Sequence, residues 1–387
     1  MYAIKTYNKI SKVGLDVFDK EKYNISDDVD NPIAALVRSA ALHDETFPKS
    51  LLAIGRAGAG TNNIPTDRCS EEGIVVFNTP SANANAVKEL VLLGLLISSR
   101  KVVPAIEWAQ GLKGNGVEVG KMVEKGKSAF VGPEIRGKKL GVIGLGAIGV
   151  LVANAANHLG MTVYGYDPFL SLQNAWNLSH NIIRADDLKV IYENCDYISL
   201  HIPLNKDTKD TIDASALASM KDGVRILNFA RDGLVNSDAM LSALESGKVA
   251  SYVVDFPTDE MIGVPGVVCI PHLGASTPES EDNCAVMAAN ELIDYVENGN
   301  ITNSVNLPNV SMPRSGDVRI SVIHRNIPKM LTSVTAVLGH DNVNIENMLN
   351  KSRGEYAYTL LDVGACDTEA VMKHIYEVDG VIRVRII

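Results

Sequence analysis

The stretch Lys139-Leu-Gly-Val-Ile-Gly-Leu-Gly-Ala-Ile-Gly149 decides the fold of this chain. An apolar run typical of a buried strand ends in Gly144, Gly146 and Gly149, which have the spacing G-x-G-x-x-G. In a dinucleotide-binding βαβ unit, the first glycine makes the turn, the second lets a pyrophosphate approach the backbone, and the third lets the helix pack on the strand. The stretch therefore predicts a nucleotide site at a helix N-terminus, where free N–H groups and the helix dipole favour an anion.

The residues that follow strengthen this prediction. An amphipathic segment, Val150 to Leu159, precedes a second apolar strand that is closed by Asp167. An acid about 20 residues beyond the first glycine is placed to bind the adenosine ribose hydroxyls. Because a carboxylate repels a 2′-phosphate, Asp167 favours NAD over NADP as the cofactor. G-x-G-x-x-G alone is a weak signal, but strand, helix, strand and acid in this order are specific.

Composition limits the possible functions. With 387 residues, two or three domains are expected, and 46% hydrophobic and 21% charged residues are typical of a globular protein. A net charge of −10 argues against a nucleic-acid or membrane-surface partner. The five cysteines are scattered without a C-x-x-C pair, which predicts buried thiols in a reducing compartment and no metal site. No secretory signal is apparent, so we expect a cytoplasmic protein.

The middle of the chain alternates apolar strands with helical segments from Lys139 to Pro271. This alternation predicts a Rossmann-type, doubly wound parallel sheet that is covered on both faces, with ligands beyond the carboxyl ends of its strands. The predicted strands are Leu140–Ile143, Thr162–Tyr166, Tyr197–Leu200, Val224–Phe229, Ser251–Asp255 and Val267–Ile270.

Both flanks also predict α/β structure. Strands are predicted at Ala3–Tyr7, Ile33–Val37, Leu51–Ile54 and Ile74–Phe77, with long helices at Asn83–Ser99 and Pro278–Glu297. Gly111 to Gly132 is polar and glycine-rich, and it is predicted to be a connection or an excursion. The last 70 or so residues predict strand, helix, strand, strand, helix and strand, a ferredoxin-like βαββαβ unit.

Four side chains just past predicted strand ends are candidates for chemistry: Arg231, Asp255, Glu260 and His272. Oxidation of an alcohol by NAD needs a base with a pKa near the operating pH, and histidine, at about 6.5, is suited to this role. A carboxylate against the other ring nitrogen would fix the tautomer, and an arginine would clamp a substrate carboxylate. His272, Glu260 and Arg231 match these roles, although each alone could also be an ordinary surface residue.

Over essentially its whole length the chain resembles the D-isomer-specific 2-hydroxyacid dehydrogenases. The motifs that carry the resemblance are Gly55-Arg-Ala-Gly-Ala-Gly60, Asn78-Thr-Pro80, Gly144-Leu-Gly-Ala-Ile-Gly149, Leu200-His-Ile-Pro203, Asn228-Phe-Ala-Arg-Asp-Gly233 and Pro271-His-Leu-Gly-Ala-Ser-Thr277. The resemblance implies a discontinuous, flavodoxin-like substrate domain (1–98 and 276–308), an NAD-binding Rossmann domain (99–275), a linker (309–316) and a C-terminal domain (317–387).

The resemblance also implies roles for individual residues. Arg231 would bind substrate, Glu260 would support His272, and His272 would donate or accept the proton. Spacing from Asp255 favours Glu260 as the supporting acid, whereas alignment on Phe256-Pro-Thr258 favours Asp259. The family often has glycine where this chain has Asp232. Arg56 and Asn78 would contact substrate, and NAD would be lined by Gly144, Gly146, Ala147, Ile148, Gly149, Asp167, Ile202, Ala230, Asp255, Gly274 and Ala275.

The C-terminal unit resembles an ACT domain, an amino-acid-sensing module, on the basis of His324-Arg-Asn-Ile-Pro328 and Val343-Asn-Ile345. The resemblance implies that His324, Asn326 and Asn344 bind L-serine as a feedback effector. The alternative is a purely oligomerising role, since ferredoxin-like units serve many functions. Lys329 departs from the motif, which has glycine after the proline.

The family implies NAD-dependent oxidation of a D-2-hydroxy acid by a homo-oligomer, a dimer or a tetramer. The leading reaction is conversion of 3-phospho-D-glycerate to 3-phosphohydroxypyruvate, the first step of L-serine synthesis. Glycerate, lactate and 2-hydroxyglutarate are alternative substrates. A non-catalytic NAD sensor or corepressor on the same scaffold is an alternative of another class, although no basic stripe supports it.

Overall fold

The computed structural model describes residues Met1–Ile387. The strands are β1 (Tyr2–Tyr7), β2 (Tyr23–Ser26), β3 (Ala34–Val37), β4 (Ala53–Arg56), β5 (Val75–Asn78), β6 (Lys139–Ile143), β7 (Thr162–Tyr166), β8 (Ile183–Arg184), β9 (Tyr197–Leu200), β10 (Val224–Asn228), β11 (Val249–Val254), β12 (Val267–Cys269), β13 (Val318–Arg325), β14 (Ile345–Arg353), β15 (Tyr356–Val363) and β16 (Val381–Ile386). The α-helices are α1 (Lys12–Leu15), α2 (Thr66–Glu71), α3 (Ala84–Ser99), α4 (Val102–Gln110), α5 (Val119–Gly126), α6 (Ala147–His158), α7 (Leu172–Asn177), α8 (Leu188–Asn194), α9 (Ala214–Ser219), α10 (Ser237–Glu245), α11 (Pro278–Asn298), α12 (Met330–His340) and α13 (Thr368–Tyr376).

The chain divides into two compact units. The first unit contains Met1–Asn83 and Thr277–Ile387, and the second contains Ala84–Ser276. Helix α3 belongs to the second unit, where it packs on α6. The domain boundaries implied by the family resemblance, including the one at residue 98, stay a prediction. None of the helices combines the length and the apolar character that a membrane span requires.

The second unit contains a seven-stranded parallel sheet in the order β12-β11-β10-β9-β6-β7-β8. The strand order reverses between β6 and β9, which is the switch point at which doubly wound sheets bind nucleotides. Strands β9 and β6 are almost wholly buried because helices cover both faces. The predicted Rossmann-type sheet is confirmed, with the short outer strand β8 as an addition.

The first unit begins with a five-stranded parallel sheet in the order β2-β1-β3-β4-β5, which is the flavodoxin-like order. The sequence did not predict the edge strand β2, because Asn24 and Ser26 interrupt its apolar pattern. Strands β4 and β5 end at Arg56 and Asn78, two residues and one residue later than expected. Both predicted substrate residues therefore lie at the carboxyl edge of this sheet.

Gly111 to Gly132 was predicted to be a connection or an excursion, and its helix was not predicted. The region contains α5, and α4 ends immediately before it. The glycines concealed the helical pattern because glycine is a poor helix former. Neither α4 nor α5 buries a residue within the chain.

Helix α11 is the longest helix of the first unit. Its N-cap is Thr277, whose hydroxyl accepts a hydrogen bond from the Ser280 amide, and it ends at Gly299 in a left-handed conformation (φ 70°). Its apolar face packs on β3, β4 and β5, with Leu292 and Tyr295 fully buried. The helix therefore forms part of the core beneath the first sheet.

The C-terminal residues form an antiparallel sheet in the order β14-β15-β13-β16, with α12 and α13 on one face. This is the predicted ferredoxin-like βαββαβ arrangement. The opposite face, including Ile323, Tyr358 and Leu360, joins the core that contains α11. Polar groups of this face also bind the end of α11. Arg385 donates to the carbonyls of Tyr295 and Val296, and the Tyr358 hydroxyl donates to the carbonyl of Gly299.

A buried ion pair anchors this contact. Arg319 and Asp362 are 1% and 0% exposed and form two parallel bonds, Nε–Oδ1 at 2.6 Å and Nη2–Oδ2 at 2.8 Å. Arg319 Nη1 also donates to the carbonyls of Asn298 and Met312. The Ser315 amide donates to the Asp362 carboxylate. One pair of charges thus joins two strands, the end of α11 and the linker.

We expect the Asp362→Ala substitution to destabilise the protein by about 3–5 kcal/mol, because it leaves the Arg319 guanidinium buried without a counter-charge. The double substitution Arg319→Met and Asp362→Leu should recover most of this loss, since it removes both charges. Urea unfolding followed by circular dichroism measures both effects. A single variant as stable as the parent would contradict the assignment.

Candidate active site

The turn between β6 and α6 requires glycines. Gly144 has φ 92°, and a Cβ there would lie 2.5 Å from the His201 carbonyl oxygen. A Cβ on Gly149 would lie 1.9 Å from the Gly144 carbonyl oxygen. A Cβ on Gly146 would meet nothing within 4 Å, so this glycine borders open space at the N-terminus of α6. Packing requires the outer two glycines, and the middle one leaves room for a ligand.

Asp167 lies at the end of β7 beside this turn. Its carboxylate accepts hydrogen bonds from the amides of Leu145 and Phe169, each at 2.8 Å. It borders a cavity of about 600 Å³ that also contacts Tyr166 and Ile182. Because the backbone amides fix the carboxylate at the cavity wall, it is positioned to bind the hydroxyls of a ribose.

Asp255, directly after β11, marks the other end of the cofactor region. It is 1% exposed, and neither carboxyl oxygen has a hydrogen-bond partner in the protein. Burial raises the pKa of this carboxyl to about 6, although Arg231 acts against the shift. A Cβ on Gly274 would lie 3.8 Å from Asp255 Oδ2. A buried unpaired carboxyl calls for a polar partner, and the carboxamide of a nicotinamide ring offers N–H donors.

The remaining predicted cofactor residues lie around the same sheet edge. Ile202 covers the turn, since its Cγ2 would lie 2.8 Å from a Cβ on Gly144. Ala147 and Ile148 form the first turn of α6 and are half-buried. Ala230 and Ala275 are also half-buried and follow β10 and β12. The glycine turn, the Asp167 carboxylate and the unpaired Asp255 carboxyl thus fit a dinucleotide.

Arg231 is held at the end of β10 by a buried asparagine that the sequence analysis missed. Asn228, 1% exposed, donates from Nδ2 to the Arg231 carbonyl at 2.9 Å and accepts from the Ala230 amide. The Arg231 side chain is exposed and donates to the carbonyl of Ala230. The Asp232 carboxylate accepts from the Gly233 amide and forms no ion pair with the guanidinium. Arg231 is therefore free to bind an anion.

His272 lies close to Arg231 in the same unit. Its ring packs against Phe256 at a centroid distance of 4.5 Å. Partial burial, and then the positive charge of Arg231, lower the pKa of the imidazole below its ordinary value of 6.5. A neutral imidazole can accept a proton, which suits a base in alcohol oxidation.

The structure does not bring the supporting acid to this imidazole. Glu260 lies in a short 3₁₀ turn, Asp259–Met261, with its side chain exposed, and no hydrogen bond joins it to His272. Its own backbone amide holds the pKa of the carboxyl below the usual range. Asp259 is exposed in the same turn. Support of His272 by either acid stays a prediction, and it requires the turn to move.

Arg56 and Asn78 are neighbours on adjacent strands of the first unit. Nδ2 of Asn78 donates to the Ala59 carbonyl at 2.6 Å, and the Thr79 amide donates to the Gly58 carbonyl. The Arg56 guanidinium lies against Gly58, and a Cβ on that glycine would be 1.5 Å from Arg56 Nη1. The Nε atom of Arg56 is buried and has no hydrogen-bond partner. The Arg56 guanidinium therefore has an N–H group that is not used in a hydrogen bond within the protein.

Arg38, directly after β3, is a second cation that the sequence analysis missed. Its charge adds to the lowering of the Arg56 pKa, which is caused first by burial, and it pairs with Glu281 at 2.6 Å. An arginine immediately after a wholly buried strand was the available signal. Two arginines therefore lie at the carboxyl edge of one sheet, and the charge of Arg38 is already matched by Glu281.

The predicted effector residues are partly engaged within the C-terminal sheet. His324 is 2% exposed; Nδ1 donates to the Arg325 carbonyl, and Nε2 lies 2.9 Å from the Thr359 hydroxyl. Asn326 donates from Nδ2 to the Gly354 carbonyl. Asn344 is exposed. Their role in binding an effector stays a prediction.

The glycine turn allows a matched pair of substitutions. Gly149→Ala forces a methyl group into the Gly144 carbonyl, so we expect a loss of about 1–3 kcal/mol in stability together with weaker NAD binding. Gly146→Ala meets open space, so we expect parent-like stability and NAD affinity reduced roughly tenfold or more, because the pyrophosphate can no longer approach the backbone. Thermal unfolding and calorimetry with NAD measure both effects. Parent-like stability of Gly149→Ala would contradict the packing argument.

Comparisons with known proteins agree with this geometry. Residues 96–274 match the family described as "D-isomer specific 2-hydroxyacid dehydrogenase, NAD binding domain". The chain is 34% identical to a D-3-phosphoglycerate dehydrogenase of Haemophilus influenzae, over 89% of this chain and 82% of that protein.

Solved structures show the same fold. A glyoxylate reductase from Paecilomyes thermophila superposes with a TM-score of 0.63 at 25% identity, covering 79% of this chain and 98% of that one. An NAD⁺-bound 3-phosphoglycerate dehydrogenase from Entamoeba histolytica gives 0.60 at 23% identity, with the same coverage. The cofactor predicted from Asp167 is NAD, which agrees with the matched domain. The chain belongs to the family of D-isomer-specific 2-hydroxyacid dehydrogenases.

Proposed function

We propose that this protein oxidises 3-phospho-D-glycerate to 3-phosphohydroxypyruvate with NAD, the first step of L-serine synthesis. The observation that carries the proposal is the position of a neutral imidazole, His272, near the guanidinium of Arg231, at the end of the sheet that also carries the buried Asp255. An anion clamp next to a neutral imidazole suits a 2-hydroxy acid. The choice of substrate is supported by the relative at 34% identity over most of the chain, which is named D-3-phosphoglycerate dehydrogenase.

Each side chain has a defined part in the reaction. NAD, held by the glycine turn, Asp167 and Asp255, would supply the acceptor for the hydride from C2 of the hydroxy acid. The neutral His272 ring takes the hydroxyl proton as the carbonyl forms, so one hydride and one proton leave the substrate. The Arg231 guanidinium binds both oxygens of the substrate carboxylate and draws electron density from the adjacent carbon–oxygen bond. Partial burial, and then the positive charge of Arg231, keep the pKa of His272 low, so the base form is available at neutral pH.

We propose that Arg56 binds the phosphate group of the substrate. Arg56 has an unpaired Nε, whereas the neighbouring Arg38 is already paired with Glu281. A phosphate carries up to two negative charges and several acceptor oxygens, so it suits a guanidinium with unused hydrogen-bonding capacity. Asn78 would orient the loop that carries Arg56 and contribute to substrate contact.

Glu260 is proposed to support His272 once the turn that contains it rearranges on ligand binding. A carboxylate at the second ring nitrogen stabilises the imidazolium that forms during oxidation. Asp259, its neighbour in the turn, is the alternative. An alanine substitution of the acid that acts should reduce kcat, and substitution of the other should not.

The decisive experiment is a comparison of initial rates with NAD on 3-phospho-D-glycerate, D-glycerate, D-lactate and D-2-hydroxyglutarate. We expect the highest kcat/KM for the phosphorylated acid. Arg56→Ala should lose that preference selectively, because it removes a phosphate contact. Faster turnover of an unphosphorylated acid would reject the proposed substrate while keeping the family chemistry.

His272→Ala is the control for chemistry in the same assay. It removes the base, so we expect kcat to fall by about 10²–10⁴-fold with NAD binding retained. If this variant turned over at the parent rate, proton transfer by His272 would be excluded. If the parent protein bound NAD but oxidised none of the four acids, a non-catalytic NAD sensor would be favoured.

We also propose that the protein works as a homo-oligomer in the cytoplasm. Helices α4 and α5 bury no residue within the chain, and Ile106 and Val117 are 52% and 95% exposed. A second copy covering this face would bury that apolar surface. All five cysteines are free thiols, which suits a reducing compartment.

For the C-terminal unit we propose an ACT domain that binds L-serine at Asn326 and Asn344 and, after its present bonds rearrange, at His324. The ferredoxin-like order and the exposed Asn344 support this assignment. Lys329, in the loop before α12, has a left-handed backbone (φ 70°) that is strained for a lysine. The exposed lysine side chain stands where the usual motif has glycine.

Calorimetry with L-serine tests this assignment. We expect measurable heat with the parent protein and tighter binding to Lys329→Gly, because glycine relieves the strain and opens the loop. Light scattering in the same buffer reports the oligomeric state. Asn31→Gly is the matched control, since Asn31 also has a left-handed backbone but lies between β2 and β3, outside the C-terminal sheet. No heat with either protein would leave the unit a structural role, and a monomer would contradict the oligomer.

A further inference from the structure

Glu291 is a buried acid that no part of the reaction above uses. It lies in α11 and is 5% exposed. Oε1 accepts a hydrogen bond from Asn303 Nδ2 at 2.7 Å, whereas Oε2 is buried without a partner. Burial raises the pKa of this carboxyl to about 8, against the opposing effect of the Asn303 amide. The group is therefore protonated at neutral pH and acts as a neutral hydrogen-bond acceptor.

Asn303 connects this acid to the first sheet. Its backbone is left-handed, with φ 56°, and its carbonyl accepts the Asn78 amide at 3.3 Å. The residues that follow run antiparallel to β5. Phe77 and Ser304 form a β-bridge, and the Val305 amide donates to the Val76 carbonyl at 2.9 Å. The side-chain bond to Glu291 thus fixes the point at which this added strand meets the end of β5.

Asn78 connects the chain of contacts to the loop that carries Arg56. Its side chain donates to the Ala59 carbonyl, and the next amide, that of Thr79, donates to the Gly58 carbonyl. Gly58 is where the Arg56 guanidinium lies over the backbone. A shift of Asn78 therefore displaces the surface on which the guanidinium rests.

We propose that Glu291 is a positioning residue for substrate binding, acting through Asn303 and Asn78 on the Arg56 loop. The assignment rests on the proposed function, because it takes Arg56 and Asn78 as substrate contacts. The carboxyl does not touch substrate. It holds the carboxyl edges of β4 and β5 in the geometry that lets Arg56 meet an anion.

The test compares Glu291→Ala with Glu291→Gln. The alanine leaves the Asn303 amide buried without its acceptor, so we expect KM for the hydroxy acid to rise roughly tenfold, with kcat and the KM for NAD within twofold of the parent. The glutamine keeps a neutral acceptor of the same length, so it should restore KM to within about twofold. Glu297→Ala is the matched control. It removes another acid of α11, which accepts from the Tyr23 hydroxyl at 2.8 Å, and it should leave KM unchanged.

The Asn303→Gly substitution tests the other partner of the same hydrogen bond. Glycine adopts the left-handed backbone readily but lacks the amide that meets Glu291, so this variant should reproduce the KM effect. The double variant with Glu291→Ala should be no worse than either single one, because both break the same contact. Additive effects would overturn the proposed route from Glu291 to Asn78.

Hydrogen exchange at the Asn78 amide separates this inference from the proposed function. We expect faster exchange in Glu291→Ala and parent-like exchange in Glu291→Gln, whichever acid is the substrate. A parent protein inactive on all four acids would remove the proposed function and, with it, the substrate role of Glu291. An active Glu291→Ala variant with parent KM, or with parent exchange at Asn78, would overturn the positioning role alone.

Discussion

The nucleotide unit depends on one close approach of backbone to backbone. The start of α6 passes so near the end of β6 that a methyl group on Gly149 would lie 1.9 Å from the Gly144 carbonyl oxygen. This approach points the first free amides of the helix toward the switch point of the sheet. Asp167 bonds to the amide of Leu145 within the same turn. The arrangement fixes the glycine turn, and the ends of neighbouring strands carry the candidate catalytic side chains.

The candidate catalytic groups are set by electrostatics as much as by position. Arg231 lowers the pKa of His272 and opposes the raised pKa of Asp255, so one guanidinium influences both groups. Asn228 holds the backbone of the exposed Arg231, and the guanidinium makes one hydrogen bond, to the Ala230 carbonyl. The other guanidinium N–H groups remain available to an anion.

The sequence predicted the elements whose periodicity is strong and the residues that follow them. Both parallel sheets, the βαββαβ unit and the positions of Arg231 and His272 follow from apolar runs that end in glycine or proline. The edge strand β2 and helix α5 were missed, because polar residues interrupt the first and glycines the second. The separation of Glu260 from His272 could not be predicted, since spacing along the chain does not determine how a short 3₁₀ turn directs its side chains. The contact of Glu291 with Asn303 could not be predicted either, because it depends on how the residues after α11 run beside β5.

The arginines of the C-terminal sheet give α11 an ending that few helices have. The last carbonyls of a helix normally meet water, but here Arg319 and Arg385 meet those of Tyr295, Val296 and Asn298. Positive charge at this end also complements the helix dipole. The terminal domain is consequently an integral cap and not a detachable accessory. Removing this domain from the chain would leave the carbonyls of Tyr295, Val296 and Asn298 without their arginine donors.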